Sequence, residues 1–151
     1  MPQHKNEFSS KSICTAKSIN HVCIAVKDIE ETLKFYGELF GLEVSGNIEN
    51  IEDQSVKAAL VRVGGSQLEF IQPTDPDGPI AKFIKDRGEA VHHLCFEVEN
   101  LDQKLEDLDG LGYRMIDKKS REGLSGQIGF IHPRSTKGVL IELVDQDKAR
   151  R

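Results

Sequence analysis

His21-Val22-Cys23-Ile24-Ala25-Val26 returns 72 positions later as His93-Leu94-Cys95-Phe96-Glu97-Val98. A second pair of segments keeps nearly the same offset. Gln67-Leu68-Glu69-Phe70-Ile71 and Leu140-Ile141-Glu142-Leu143-Val144 carry central glutamates 73 positions apart. Each half therefore opens on a His-x-Cys strand and closes on a strand with a glutamate at its centre. An internal repeat constrains the architecture before any single element is assigned. Two His and two Glu at matching places read as one metal site divided between two pseudo-symmetric halves.

Working outward, residues 19–26 alternate as a strand. Asp28 suits the N-cap of a helix with Ile29, Leu33, Tyr36 and Phe40 on one face, ended by Gly41. Strands are expected near 42–48, 56–63 and 67–72, separated by Gly46-Asn47 and Gly64-Gly65. The turn-rich bridge 73–90 holds a short helix that starts at Pro79 and stops at Gly88. The second half repeats the order. It has a strand over 91–98, a capping-box-like start at Asn100 with Gln103, a Leu101/Leu105/Leu108 stripe, and strands near 112–116, 127–132 and 138–144. Residues 117–126 read as a mobile loop. The fold class is α+β: two βαβββ modules, 19–72 and 91–144, forming a curved, barrel-like mixed sheet. Residues 1–18 read as a flexible leader and 145–151 as a charged tail.

The 151 residues fit one compact domain or two small fused modules. A net charge of −5 and the lack of a basic stripe argue against nucleic acid as a partner. No apolar run reaches membrane-spanning length, and the first 18 residues lack the apolar core of a secretory signal. A short organellar transit peptide is the weaker reading of that leader. The cysteines, Cys14, Cys23 and Cys95, are odd in number and have no Cys-x-x-Cys spacing, which favours a reducing compartment.

Strand alternation selects the side chains that meet. Val22, Ile24 and Val26 face the helix, and His21, Cys23 and Ala25 face away. Leu94, Phe96 and Val98 likewise oppose His93, Cys95 and Glu97. Glu69 and Glu142 fall on the non-helix faces, so His21, Glu69, His93 and Glu142 converge if the sheet curves. His92 points the wrong way under this register, and His93 is the expected ligand. Two imidazoles and two carboxylates suit Co²⁺, Ni²⁺, Mn²⁺, Fe²⁺ or Zn²⁺ rather than a structural zinc, which prefers thiolates. A six-coordinate ion would keep two open positions and could stabilise an enolate. Cys23 and Cys95 read as small cavity-lining residues. Glu97 is either a further cavity acid or a solvated strand end. His132 reads as structural or substrate-contacting, and His4 has no role.

Together these features resemble the vicinal oxygen chelate superfamily, which includes glyoxalase I, and within it the methylmalonyl-CoA epimerases. The resemblance runs from Ile19 to Val144. It is most specific in Gly78-Pro79-Ile80-Ala81-Lys82-Phe83-Ile84, in Val91-His92-His93-Leu94-Cys95-Phe96-Glu97-Val98 and in the run Phe130–Leu143, which contains His132-Pro133-Arg134-Ser135. It implies metal ligation by His21, Glu69, His93 and Glu142, with Co²⁺ as the first expectation. It also implies interconversion of (R)- and (S)-methylmalonyl-CoA. The pseudo-twofold places the two glutamates across the metal from each other, with Glu142 expected as primary base and Glu69 as a ligand that serves the opposite face. An additional acid that some epimerases carry on the strand matching 56–60 aligns here with Lys57. The CoA tail is expected along 117–137, near Lys118, Lys119, Arg121, Arg134 and Lys137. A homodimer and a cytoplasmic location, or the mitochondrial matrix in a eukaryote, are the family expectations. Glyoxalase I, acting on a glutathione hemithioacetal, is the rival enzyme. An extradiol-type dioxygenase is disfavoured by the fourth ligand and the short chain. A non-enzymatic small-molecule-binding member is the rival of a different class.

Overall fold

The computed structural model describes residues 12–149. The chain forms strand β1 (Ser18–Ala25), helix α1 (Ile29–Phe40), strands β2 (Glu49–Ile51), β3 (Val56–Val63) and β4 (Ser66–Pro73), and helix α2 (Pro79–Arg87). Then come β5 (Ala90–Glu97), α3 (Leu101–Gly110), β6 (Arg121–Gly123), β7 (Gly126–Ile131), β8 (Ile141–Asp145) and a short α4 (Gln146–Ala149). All eight strands form one sheet in the order β2-β3-β4-β1-β5-β8-β7-β6. The order mirrors itself about the β1–β5 seam. That seam is antiparallel, while β1 pairs with β4 and β5 with β8 in parallel. The result is the expected α+β glyoxalase fold, an eight-stranded mixed sheet curled into a half-barrel.

Packing follows the predicted faces. Ile24 and Val26 join Ile29, Leu33, Tyr36 and Phe70 under α1. Phe96 and Val98 join Leu101, Leu105, Leu108 and Leu143 under α3. The opposite face of the first half carries Cys23, Ala25, Ala58 and Ile71, and α2 covers them with Ile80, Phe83 and Ile84. Asp28 caps α1 as expected, its Oδ1 accepting from the Glu31 amide at 3.0 Å, and Gly41 ends the helix at φ 68°. Phe40 departs from its stripe and is 61% exposed.

Other differences have local causes. Over 42–48 only Val44 bridges, to Val61, and the edge strand β2 forms later. Over 112–116 only Met115 bridges, to Ile131, and β6 lies inside the expected loop. The two displacements are repeat-related. In the second half, the two residues between Gly123 and Gly126 make a hairpin turn, and that turn sets where β6 pairs. The capping box at Asn100 does not form, because Asn100 sits at φ 53° with no side-chain cap bond. The carboxylate of Asp145 accepts from the Leu101 amide at 3.4 Å instead, and Gln103 donates to Asp107 at 2.9 Å. A tertiary cap thus replaces a local one. Asp145 therefore belongs to the sheet rather than to the charged tail. At the other end, Lys17 donates its amide to Glu97 O at 2.8 Å and Ser18 opens β1, so the sheet begins within the expected leader. Its residues 1–11, with His4, lie outside the described residues. Among the described residues no helix is long and apolar enough to cross a membrane.

Gly126 shows how tightly this frame closes. Its φ is 140°, and a Cβ there would stand 2.9 Å from the Asp145 carbonyl oxygen. Gly126→Ala is expected to destabilise the protein by about 1–3 kcal/mol through backbone strain. A urea midpoint unchanged from the parent would contradict this.

Candidate metal centre

The four expected ligands occupy the four central strands: His21 on β1, Glu69 on β4, His93 on β5 and Glu142 on β8. Register brings them together. Across the seam His21 faces Cys95 and Cys23 faces His93. In the parallel pairs Cys23 faces Glu69 and Cys95 faces Glu142. One patch of six residues results, built from three strand pairings. All four candidate ligands are buried, with exposures of 1% for His21, 9% for Glu69, and 5% for both His93 and Glu142. Groups of this kind are seldom buried without a compensating partner.

Three donors form a tight trio. Glu142 Oε2 lies 2.7 Å from His93 Nε2 and 3.0 Å from His21 Nε2, and the two Nε2 atoms are 3.2 Å apart. Two imidazole lone pairs at that distance repel unless a proton or a cation sits between them. Adjacent ligands about 2.1 Å from one ion would stand about 3 Å apart, so the trio fits a divalent cation held by nitrogen and oxygen. Glu69 stands just outside, its Oε2 3.8 Å from His21 Nε2.

Residues 20–131 match the sequence profile of the Glyoxalase/Bleomycin resistance protein/Dioxygenase superfamily. The human mitochondrial methylmalonyl-CoA epimerase is 33% identical over 134 residues, spanning 87% of this chain and 76% of that protein. The chain belongs to this epimerase family. An uncharacterised Bacillus subtilis protein, YqjC, is 35% identical over 84% of the chain and 91% of its own length. The solved structure of a substituted Streptomyces coelicolor methylmalonyl-CoA epimerase, in complex with 2-nitronate-propionyl-CoA, superimposes with a TM-score of 0.83 at 32% identity. It covers 89% of this chain and 98% of that one.

In this member of the epimerase family each site histidine is met at Nδ1 by the residue before it. His21 Nδ1 is 2.8 Å from Asn20 Oδ1, and His93 Nδ1 is 2.9 Å from His92 Nδ1. This corrects the expectation that His92 points away. The pairing of β1 with β5 skips Asn20 on one strand and His92 on the other, so a bulge breaks the alternation at both places. His92 also packs edge-on to Phe83 of α2, with ring centroids 4.9 Å apart. The available signal was the repeat itself, since Asn20-His21 and His92-His93 share the 72-residue offset.

Cys23 and Cys95 lie beside the carboxylates, Cys23 level with Glu69 and Cys95 level with Glu142 in the parallel pairings. Burial, reinforced by the nearby carboxylate charges, pushes both thiols well above their usual range, so they remain protonated. Cys23 also forms a second cluster of potential donors with His92 and His93. A protonated thiol makes that cluster the poorer ligand set. For Glu142, burial works against ionisation, but hydrogen bonds from His21 and His93 outweigh it and hold the carboxyl down to about 2. For His21, burial disfavours the cation, but Glu142 and Glu69 outweigh it and raise the pKa.

The remaining expected residues lie apart from the trio. Glu97 accepts from Ser18 Oγ at 3.1 Å and pairs with Lys17 at 3.8 Å, so it belongs to the strand end. His132 Nδ1 accepts from the Arg134 amide at 3.0 Å and caps a short turn. Lys57 is exposed on β3, one register step from Val56 and Ala58 of the concave cluster. It therefore points to the α1 face and takes no part in the site.

The two pKa shifts define a stability window for the metal-free protein. Glu142 contributes stability above its unfolded value near 4.3, and this is lost as pH falls towards 2. His21 contributes stability that is full below about 6.5 and is lost as pH rises through its folded value. Metal-free protein should therefore be most stable between about pH 4.5 and 6.5, and Glu142→Gln should flatten both slopes. Urea unfolding across pH measures this. A parent midpoint that climbs between pH 6.5 and 8 would contradict it.

Proposed function

We infer that the chain is a methylmalonyl-CoA epimerase, an isomerase that inverts the carbon between a thioester carbonyl and a carboxylate. The observation that carries this reading is the buried His21–His93–Glu142 trio at the seam of a chain whose named curated relatives are epimerases of that substrate. His21, His93 and Glu142 would hold a divalent ion, with Glu69 completing the set. Co²⁺ is the ion expected from the family resemblance, and an N₂O₂ set also accepts Ni²⁺, Mn²⁺, Fe²⁺ or Zn²⁺. When bound, such an ion supplies stabilisation of the negative charge that develops on a thioester oxygen as the adjacent C–H ionises.

The chain's own residues supply the proton transfers. Epimerisation removes a proton from one face of C2 and returns one to the other. Glu69 comes from the first half and Glu142 from the second, so the two carboxylates flank the seam. Glu142 was the expected primary base, but one of its oxygens is shared by both histidines, and it is held in its charged form. Glu69 lies outside the trio and is the freer carboxylate. We therefore assign the first proton abstraction to Glu69; on the opposite face Glu142, which holds no proton of its own, relays one from solvent to C2.

A cleft of about 500 Å³ runs beside His93 between α2, the start of β5 and the turn after Pro133. Phe83, Val91, Val139 and Leu140 give it apolar walls, and Lys82 and Arg87 supply cations. This combination suits the apolar arm and the phosphates of a coenzyme A thioester. Of the basic residues expected for that role, Lys118 is engaged with Asp109 at 3.4 Å, and Arg121 with Asp117 at 3.1 Å. Arg121 also lies over Phe130, which packs edge-on to His93.

Metal-loaded protein incubated with methylmalonyl-CoA in D₂O should exchange the C2 hydrogen, and chelation should abolish the exchange. Glu69→Gln should slow exchange by about 10²- to 10⁴-fold while metal is retained. Glu142→Gln should lose the metal. Undiminished exchange in Glu69→Gln would remove its role as base. Turnover of methylglyoxal with glutathione, without C2 exchange, would replace the epimerase by a glyoxalase I.

A further inference from the structure

We propose that Asn20 and His92 are a matched pair of positioning residues: each accepts a hydrogen bond from Nδ1–H of the metal-site histidine that follows it and so fixes Nε2 as the ligand atom. The inference rests on the metal-centre reading above. Three independent observations carry it. The contacts are equivalent in length, 2.8 Å for Asn20 Oδ1 to His21 Nδ1 and 2.9 Å for His92 Nδ1 to His93 Nδ1. Both supporters sit at bulges, the one extra residue of β1 and the one extra residue of β5 along the seam. They occupy the same place in the repeat, 72 residues apart.

The chemistry requires an acceptor at each place. A neutral imidazole carries one N–H, and a nitrogen that ligates must be free of its proton. His21 and His93 aim Nε2 into the trio, so the proton belongs on Nδ1. Asn20 meets that proton with its carbonyl oxygen, since an amide NH₂ there would face a donor. His92 meets it with an unprotonated Nδ1, which places its own N–H on Nε2. Each support locks the tautomer and the ring plane together. Ordinarily the residue next to a strand histidine points to the other face and is out of reach. The bulges remove that obstacle, as they do elsewhere where a side chain must be re-aimed beside a functional site.

The pair is tested by metal affinity rather than turnover. Parent, Asn20→Ala, His92→Phe and His92→Asn proteins are stripped of metal and titrated with Co²⁺ or Zn²⁺ against a competing chelator. Urea midpoints of the metal-free forms serve as the control for folding. Asn20→Ala and His92→Phe should each weaken metal binding by about 10- to 100-fold. His92→Asn restores an acceptor at the bulge and should stay within about threefold of the parent. Parent-like affinity in His92→Phe, or an equal loss in His92→Asn and His92→Phe, overturns the positioning role. A loss of affinity that only follows a lower metal-free midpoint overturns it as well. Failure of the parent itself to bind one equivalent overturns the metal-centre reading beneath it.

Discussion

The antiparallel pairing of β1 with β5 is the constraint on which the rest of this molecule depends. It sets His21 opposite Cys95 and Cys23 opposite His93, and the flanking parallel strands set a glutamate beside each cysteine. Slipping that register by one residue would turn the histidines toward the helices and the helix-facing residues toward the cavity. The helices hold it in place from outside. α1 and α3 bury the alternate residues of the same strands, and α2 fills the concave face beyond Cys23. Four buried titratable side chains are costly for a small domain, because each gives up hydration. The site repays that cost only if the donors meet one another or a cation, and the distances of 2.7–3.2 Å within the trio satisfy that condition.

Duplication does not make the two carboxylates equivalent. Glu142 is locked by both histidines, whereas Glu69 reaches only one, at 3.8 Å. The packing around the halves differs too. α2 covers the concave face of the first half, while Cys95, Ile128, Val144 and Phe130 fill that of the second. An enzyme that deprotonates one face of a carbon and reprotonates the other needs two groups on opposite sides, not two identical groups. A pseudo-twofold places one carboxylate in each half, and their environments are unequal, one held by both histidines and the other by neither closely. The thiols fit the same division, since Cys23 and Cys95, kept protonated by burial and the nearby carboxylate charges, do not compete with those carboxylates for a metal.

Much of this was legible in the chain. The repeat offset marked the four side chains that the seam buries together, and period-two alternation placed Ile24, Val26, Phe96 and Val98 under the helices, where they pack. Asp28 and Gly41 announced both ends of α1 through local chemistry alone. What escaped depends on partners far away in sequence. The edge strands β2 and β6 are three residues each, and hairpin geometry rather than their own alternation decides where they pair. Asn100 looked like a cap by composition, but Asp145, 45 positions on, supplies the carboxylate. The unequal grip on the two carboxylates was likewise hidden, because it turns on which of them the histidines reach.

His92 was misplaced for the most instructive reason. Strict alternation forbids a strand residue from supporting its neighbour, and the seam evades the rule twice. An extra residue at Asn20 shifts β1 against β5 by one, and an extra residue at His92 shifts it back. The strands therefore pair as Ser18 with Glu97 and Ile19 with Phe96 before the first bulge, and return to that register as Ile24 with Val91 and Ala25 with Ala90 after the second. Only the stretch between, His21 to Cys23 against Cys95 to His93, lies out of phase. A single bulge would have left everything beyond it displaced, with buried Ala25 turned from its packing partners. Two bulges of opposite effect confine the displacement to the metal-site segment and leave the core on either side undisturbed.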